Sequence, residues 1–216
     1  MEKITLKLPG SEDFFTQEAY KALRTNLQFC GQDIKVMVFT SVHENEGKTT
    51  ISLHTAQSLA ELGKKVLVID TDMRKSVMAG RNTNVRRPAG LSEVLTGMKN
   101  VSECLYATQN PNLHILFAGK YPPNPVELLN SKYFGKLVEE ARKVYDYVII
   151  DSPPLGRVID AAVIASICDG SVLVMGNDVR SSQARDVVAQ LEKANGKILG
   201  VVRNNVKTKR SLFRKG

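Results

Sequence analysis

The chain has 216 residues, of which 43% are hydrophobic, and this length suits one α/β domain over residues 1–216 with a sizeable core. No apolar run reaches the length of a membrane span, and the N-terminal residues lack the apolar core of a signal peptide, so we expect a soluble intracellular protein. Three cysteines stand far apart in apolar surroundings, which excludes a disulfide framework and a zinc cluster and favours a packing role. They are Cys30, Cys104 and Cys168.

The net charge of +8 is concentrated in two basic clusters. The first contains Arg81, Arg86 and Arg87. The second is a basic tail over residues 207–216, with Lys207, Lys209, Arg210, Arg214 and Lys215. Such clusters suit a nucleotide, an acidic partner, nucleic acid or an anionic membrane surface, and a merely solvated tail explains the second cluster equally well.

Residues 11–29 predict an amphipathic helix. Its apolar stripe consists of Ala19, Leu23 and Leu27. Three charged residues recur at every third position beside this stripe: Glu18, Lys21 and Arg24. This spacing places alternating charges on one face, which is either a solvated surface or a contact with a neighbouring subunit. The spacing alone favours the solvated surface.

Residues 36–50 begin with a buried strand and a polar loop, after which Gly47, Lys48, Thr49 and Thr50 open a helical pattern. This is the order of a phosphate-binding loop, in which backbone amides and a helix N-terminus surround the phosphates, a Lys reaches the β- and γ-phosphates, and the next hydroxyl holds Mg²⁺. Lys48 and Thr49 suit these roles. The strict motif requires Gly where this chain has Val42, so an ordinary strand-to-helix turn is the local alternative.

Residues 66–74 predict a second buried strand that ends in Asp70 and Asp72 and is followed by Arg74. In doubly wound sheets the ligand crevice lies beyond the carboxyl ends of the strands. Two carboxylates at that place suit hydrated Mg²⁺ or the orientation of a nucleophile. The structural alternative is that these acids cap the next helix, but capping accounts for only one of the two carboxylates.

The middle of the chain carries weaker signals. Residues 75–112 predict loops around a short helix at 91–96, and residues 114–118 predict a short strand. A Pro-rich turn follows, because each residue before a proline avoids the α region. Asn124 and Pro125 then mark the start of a helix, as N-cap and first helical residue.

A third acidic strand end occurs in residues 147–154, where a buried strand finishes at Asp151 and two prolines follow. Phosphate-loop NTPases place their second Mg²⁺ anchor at such a position. Two more strands, at 171–175 and 198–202, flank a helix at 182–194. This alternation of buried strands and helices predicts an α/β fold with a doubly wound, mostly parallel sheet in three α/β/α layers.

Taken together, these segments resemble the bacterial tyrosine kinases (BY-kinases) of capsule and exopolysaccharide synthesis over nearly the whole chain. The resemblance depends on five stretches: EAYKALRTNLQF, the deviant Walker A motif TSVHENEGKTT, VLVIDTDMR, PPNPVELL, and the Walker B motif VIIDSPP. It implies a phosphate-loop NTPase that binds ATP and Mg²⁺ and transfers phosphate to tyrosine. Such a transfer requires positioning and charge neutralisation rather than a nucleophilic side chain.

The resemblance also implies roles for individual residues. Lys48 would act on the phosphates, and the metal would be held by Thr49, Asp72 and Asp151. Asp70 would accept the tyrosine proton, although the division of work between Asp70 and Asp72 stays open. The nucleotide would be contacted by Glu46, Gly47, Lys48, Thr49 and Thr50, and its adenine by Asn204.

The partners implied by the resemblance are a transmembrane activator of the polysaccharide export system and a protein tyrosine substrate, without nucleic acid. The chain would be cytoplasmic and recruited to the inner face of the plasma membrane. Residues 1–30 would form an oligomerisation region in which Glu18, Lys21 and Arg24 match a Glu-x-x-Arg-x-x-Arg motif and support a homo-oligomer.

This chain departs from the family pattern in three ways. Glu44 and Asn45 replace a usual Pro-Gly, so Asn45 is expected in a left-handed conformation and two acids, Glu44 and Glu46, bring negative charge near the phosphates. Lys21 replaces an Arg and lacks its bidentate fork. No tyrosine follows Tyr147, so autophosphorylation of a tail is not predicted, and five tyrosines remain as candidate internal targets, although packing is the favoured role for each. These are Tyr20, Tyr106, Tyr121, Tyr133 and Tyr145.

Two other functions compete with the tyrosine-kinase hypothesis. A Min/Par-type partitioning ATPase would share the sheet and the paired acids, but that family carries a Lys at the position of His43. The basic tail favours such an ATPase weakly, although it is shorter than a membrane-binding amphipathic helix. A nucleotide-binding regulatory scaffold with little turnover is the third hypothesis, because the phosphate loop is unusual.

Overall fold

The computed structural model describes residues 1–10, 13–155, 160–194 and 196–206, so the basic tail lies outside the described residues. Its strands are β1 Glu2–Lys3, β2 Val36–Ser41, β3 Val66–Asp70, β4 Leu105–Ala107, β5 Leu113–Leu116, β6 Tyr147–Asp151, β7 Gly170–Met175 and β8 Ile198–Arg203. Its helices are α1 Phe14–Phe29, α2 Lys48–Ala60, α3 Met78–Asn82, α4 Leu91–Leu95, α5 Val101–Cys104, α6 Pro125–Leu129, α7 Lys132–Val144, α8 Asp160–Ala165 and α9 Ser181–Lys193.

The strands form one sheet in the order β1-β4-β5-β3-β6-β2-β7-β8. Every neighbouring pair is parallel except β4 with β5. The predicted doubly wound, mostly parallel sheet is therefore confirmed. Strand β6 lies between β2 and β3, and its register places Asp151 opposite both Phe39 and Asp70. This order brings three strand ends, those of β2, β3 and β6, to one edge of the sheet.

Two apolar layers cover the sheet, one on each face. On the first face, α1 and α2 contribute side chains such as Leu27, Leu53 and Leu59. On the second face, α4 and α6–α9 contribute side chains such as Phe134 and Leu191. Each central strand is apolar along its whole length because its alternate side chains enter opposite layers. The three-layer α/β/α prediction is confirmed.

Several sequence predictions need correction. Ala19 is exposed, and Tyr20 instead packs with Leu23 and Leu27 against the first layer. The region 75–112 contains α3, α5 and β4 in addition to the predicted short helix. These elements have three to five residues, and such short elements are stabilised by tertiary contacts more than by their own sequence pattern. The third predicted strand covers 113–116 rather than 114–118.

Candidate active site

The phosphate loop connects β2 to α2 and is shaped by two residues with left-handed backbones. Asn45 has φ +62° and Gly47 has φ +85°, so the predicted left-handed conformation of Asn45 is confirmed. The loop ends where α2 begins at Lys48, which directs the helix N-terminus toward the cleft. Backbone amides at such an N-terminus suit a phosphate.

Glu46 fixes the interior of this loop. Its Oε2 accepts hydrogen bonds from the amides of Val42 (2.9 Å) and His43 (3.0 Å), and its Oε1 accepts one from the amide of Gly176 (3.3 Å). The side chain is buried. The Glu46 carboxylate is therefore committed to the protein backbone, and the residue can offer a nucleotide only its own backbone.

Lys48 and Thr49 both contact Asp151. Lys48 Nζ lies 2.7 Å from Asp151 Oδ1, and the Thr49 hydroxyl lies 2.6 Å from Asp151 Oδ2. Ser52, one turn further along α2, donates to Asp151 Oδ1 at 3.3 Å and was not singled out from the sequence. The structure thus brings together the predicted phosphate-binding cation, the predicted metal-binding hydroxyl and the acid of β6.

The two acids after β3 have different surroundings. Asp70 is 1% exposed, and its oxygens accept hydrogen bonds from the Ser76 hydroxyl and the Asp72 amide. Asp72 is partly exposed and lines the cleft, and its Oδ1 accepts from the amides of Arg74 and Lys75. Only Asp72 of this pair is therefore placed to meet a molecule bound in the cleft.

Burial and like charge act on both acids. Burial raises the pKa of Asp70 to about 7, the charge of Asp151 adds to this rise, and the Ser76 hydrogen bond and Lys48 oppose it. Burial also raises the pKa of Asp72, against the opposing effect of Lys48. The raised pKa values of Asp70 and Asp72 reflect negative charge that a divalent cation such as Mg²⁺ would offset.

Arg74 is held at the mouth of the cleft by an acid that the sequence did not reveal. Its Nε donates to Asp160 Oδ2 at 2.9 Å and its Nη2 donates to Asp160 Oδ1 at 3.3 Å. Asp160 opens α8 and is 1% exposed. A buried carboxylate needs a cation partner, so an acid within the apolar run of α8 was the available signal.

Asn204 lies at the end of β8 and contacts the phosphate loop. Its Nδ2 donates to the carbonyl O of Glu46 at 2.8 Å, and a Cβ added at Gly47 would overlap this Nδ2. The sequence predicted a contact between Asn204 and adenine. The structure shows a residue that lines the cleft and supports the loop.

The cleft extends from the phosphate loop to the acidic turn and the N-terminal segment. It is lined by Pro9, Gly10, Thr16, Tyr20, Ser41, residues 44–50, Asp72, Arg74, Lys75, Val77, Arg81, Asn82, Pro153, Pro154, Asn204 and Asn205. All five predicted residues of the phosphate loop, from Glu46 to Thr50, belong to this lining.

The three charged residues of α1 do not form one surface. Lys21 pairs with Glu18 at 2.8 Å, and both side chains are exposed. Arg24 instead turns toward its own domain, where its Nη1 donates to the carbonyl O and to the hydroxyl of Ser58 on α2, each at 3.1 Å. The helix thus presents Glu18 and Lys21 outward and uses Arg24 for packing.

Comparison with known proteins gives consistent results. An AAA domain model matches residues 34–180. A protein of Streptococcus agalactiae named tyrosine-protein kinase CpsD is 42% identical over 192 residues, which cover 88% of this chain and 84% of the relative. The kinase domain of Escherichia coli tyrosine kinase ETK superposes with a TM-score of 0.86 at 30% identity, over 98% of this chain and 86% of that structure. The MinD protein of Pyrococcus horikoshii, complexed with Mg-ADP, superposes with a TM-score of 0.65 at 25% identity, over 78% of this chain and 69% of that structure.

Proposed function

Because this chain belongs to the bacterial tyrosine-kinase family, we propose that its cleft binds ATP with Mg²⁺ and transfers the γ-phosphoryl group to a tyrosine hydroxyl. The observation that carries this proposal is the meeting of Lys48, Thr49 and Asp151 at neighbouring strand ends, with Asp72 in the lining of the same cleft. The partitioning-ATPase fold is shared, but His43 stands where that family carries its Lys.

The residues of the cleft fit this ligand. Gly47, with φ +85°, turns the loop into the N-terminus of α2, whose backbone amides suit a phosphate. A threonine hydroxyl and carboxylate oxygens are the donors that Mg²⁺ prefers, together with phosphate oxygens. Thr49 and Asp151 would hold the metal, which would neutralise charge on the transferred group.

Lys48 would exchange its contact with Asp151 for the phosphates when ATP binds. Asp72 is our choice for the group that accepts the tyrosine proton, because Asp70 is fully buried and both of its oxygens accept internal hydrogen bonds. Asp70 would then keep the turn and the Asp72 amide in place. Arg74 and Lys75 line the entrance of the cleft, where each is paired with an acid, Arg74 with Asp160 and Lys75 with Glu44.

The partners that we propose for this chain are those of the family it belongs to. We propose that it acts with a transmembrane activator of a polysaccharide export system, which recruits it to the inner face of the membrane, and that it regulates capsular or exopolysaccharide synthesis. No helix within the described residues has the length and apolar character to cross a membrane. Self-association through α1 is also proposed, because Phe14 and Phe15 are 66% and 80% exposed near Glu18 and Lys21.

The test uses purified protein with Mg²⁺, γ-labelled ATP and a Glu/Tyr copolymer, with and without the membrane partner. Lys48→Met should lower the labelling of tyrosine at least about 100-fold, since it removes a cation aimed at the transferred charge. Lys64→Met, at an exposed lysine beyond the other end of α2, should keep the wild-type rate. Phosphate release without labelled protein, stimulated by lipid or DNA, would favour a partitioning ATPase. Nucleotide binding without either product would favour a scaffold.

A further inference from the structure

One arginine of the cleft is held by a buried acid. Within the described residues, four cationic side chains line the cleft: Lys48, Arg74, Lys75 and Arg81. Lys75 pairs with an acid near the surface, and its side chain is 73% exposed. Lys48 and Arg74 instead pair with acids that are nearly inaccessible, Asp151 and Asp160. Arg74 is therefore, like Lys48, a cation whose place is set by the fold.

The pair with Asp160 fixes the orientation of the Arg74 guanidinium. Nε donates to Asp160 Oδ2 at 2.9 Å and Nη2 donates to Asp160 Oδ1 at 3.3 Å, so the carboxylate faces one edge of the guanidinium. The Asp160 side chain is 1% exposed, whereas that of Arg74 is 41% exposed and lines the cleft. The acid thus holds the arginine from the protein side. The donors that this pair does not use, Nη1 and the second N–H of Nη2, suit a molecule bound in the cleft.

This ion pair joins the segments that follow two acidic strand ends. Arg74 lies two residues after Asp72 in the turn after β3, and Asp160 opens α8 in the segment after β6. The same turn is also tied to β6 by Thr71, whose amide and hydroxyl each donate to the carbonyl O of Asp151 at 2.9 Å. Arg74 is therefore held in the turn that carries Asp72 and beside the strand end that carries Asp151, the residues proposed above as proton acceptor and metal ligand.

Phosphoryl transfer has a use for such an arginine. The tyrosine oxygen bonds to the γ-phosphorus, the bond from that phosphorus to the β–γ bridging oxygen breaks, ADP leaves with the electron pair, and Asp72 accepts the phenolic proton. Negative charge is then spread over the three non-bridging oxygens of the transferred group, and Lys48 and the metal would neutralise part of it. A guanidinium suits the remainder because its N–H groups form a planar fork that matches phosphate oxygens. A donor that is already oriented needs no rearrangement during the reaction.

We propose that Arg74 is a catalytic residue that donates to the γ-phosphoryl oxygens, and that Asp160 is the positioning residue that holds it toward them. This inference rests on the kinase activity proposed above and adds two residues to its site. Asp160 is not among the described residues that line the cleft, so it acts through Arg74. Because the contact is with the γ-phosphoryl group alone, both residues should affect the transfer and neither should affect the binding of ADP.

The experiment measures tyrosine labelling of a Glu/Tyr copolymer and, by titration calorimetry, the affinities for Mg-ADP and for Mg-ADP with aluminium fluoride, which mimics the transferred group. Arg74→Lys keeps the charge and loses the fork. It should lower kcat about 100-fold or more and weaken the aluminium fluoride complex similarly, with the KM for the copolymer and the ADP affinity within about twofold of wild type. Asp160→Asn should lower kcat about tenfold or more by misplacing the guanidinium. In the Arg74→Lys background it should lower kcat by less than about twofold, because it acts through Arg74.

Arg142→Lys is the matched control, because it makes the same change in the pair of Arg142 with Asp169, neither of which is among the described residues that line the cleft. It should keep the wild-type kcat and both affinities. An equal loss of kcat in Arg142→Lys and Arg74→Lys would overturn the inference, since a weakened fold would then explain both. An ADP affinity near that of wild type shows that each variant is folded, and Arg74→Lys, which keeps a cation opposite Asp160, decides the question if Asp160→Asn binds no ADP.

Three further outcomes would contradict the proposal. Equal losses of affinity for ADP and for the aluminium fluoride complex, or a raised KM for the copolymer at unchanged kcat, would overturn contact of Arg74 with the γ-phosphoryl group. Full multiplication of the two single effects in the double variant would overturn the positioning role of Asp160. Labelled copolymer at the wild-type kcat in Arg74→Lys would overturn this inference and leave the proposed function intact. ADP binding without labelled copolymer in wild type would overturn the kinase proposal together with this inference.

Discussion

Lys48 Nζ lies 2.7 Å from Asp151 Oδ1, so the cation assigned to phosphate and the acid assigned to the metal form one ion pair. Both side chains are nearly inaccessible, at 9% and 2% exposure. The pair joins the first turn of α2 to the end of β6, and Asp70 stands opposite Asp151 in the next strand. Lys48 and Asp151, to which we assign phosphate and metal binding, therefore also neutralise each other's charge inside the folded protein.

The first prediction concerns the energy of this pair. Without nucleotide and in a chelator, Lys48→Met should lower the free energy of unfolding by about 3 kcal/mol, because it leaves a buried carboxylate without its cation. The double variant Lys48→Met/Asp151→Asn should lose less than the sum of the two single variants, by at least about 1 kcal/mol. Urea unfolding of the four proteins measures this coupling. Strict additivity would mean that the pair contributes nothing.

The second prediction separates backbone strain from contact at the phosphate loop. Gly47 and Gly63 both have left-handed backbones, at φ +85° and +78°, but only a Cβ at Gly47 meets Asn204. Alanine should cost about 1–2 kcal/mol of stability at each position through strain alone. Gly47→Ala should in addition weaken ATP binding about tenfold or more, measured by titration calorimetry. Equal ATP affinity in the two variants would show that Asn204 does not shape the loop.

The sequence alone was enough to predict which strand ends form the candidate site. Apolar runs followed by the phosphate loop with Lys48, by Asp70 and by Asp151 predicted three neighbouring strand ends, because parallel strands present their carboxyl ends at one edge. The register of β3 and β6 places two of these acids directly opposite one another. Periodicity and strand-end chemistry are local signals, which explains why they could be found in one sequence.

The remaining features depend on contacts between distant parts of the chain. Asp160 binds Arg74 across 86 positions, and Arg24 binds Ser58 across 34. Glu46 appeared from its charge to repel phosphate, but it binds amides of its own loop. Such contacts cannot be predicted from the spacing of residues in the sequence, because they depend on which elements the fold places side by side.

The third prediction concerns pH and Asp70. The pKa of Asp70 is raised in the folded protein from 3.8 to about 7, so folding favours its protonated form. Its contribution to stability is complete below pH 3.8 and is lost as the pH rises through about 7. Without Mg²⁺ and nucleotide, Asp70→Asn should therefore flatten the decline of unfolding free energy over this range. Asp33→Asn, at an exposed acid, should keep the wild-type slope. An unchanged slope in Asp70→Asn would contradict the raised pKa.

The fourth prediction distinguishes assembly from stability in α1. Arg24→Ala should lower the free energy of unfolding by about 1–2 kcal/mol, because it removes two hydrogen bonds to Ser58. Lys21→Ala should change it by less than about 0.5 kcal/mol, because its pair with Glu18 is exposed. Glu18→Lys should instead reduce the sedimenting mass if α1 mediates self-association. A wild-type mass for Glu18→Lys at all concentrations would remove these charges from any interface.

The fifth prediction concerns the ion pair that joins α7 to the start of β2. Arg142 Nη1 lies 2.8 and 2.7 Å from the two oxygens of Asp169, whose Oδ2 also accepts from the amides of Lys35 and Val36. Arg142→Met should lower the free energy of unfolding at pH 7 by about 1–3 kcal/mol. Lys143→Met, one residue further along α7, removes an exposed pair with Glu140 and should leave the free energy of unfolding at the wild-type value.

The difference in unfolding free energy between Arg142→Met and Lys143→Met should disappear at low pH. Partial burial acts to raise the pKa of Asp169, but the hydrogen bonds from Arg142 and from the amides of Val36 and Lys35 outweigh it and lower the pKa. The stabilisation is therefore present above the ordinary value of 3.8 and is lost as the pH falls through the lower folded value. Urea unfolding at a series of pH values measures both variants against wild type. A deficit of Arg142→Met that persists undiminished in strong acid would assign it to lost packing of the arginine stem rather than to the charge of Asp169.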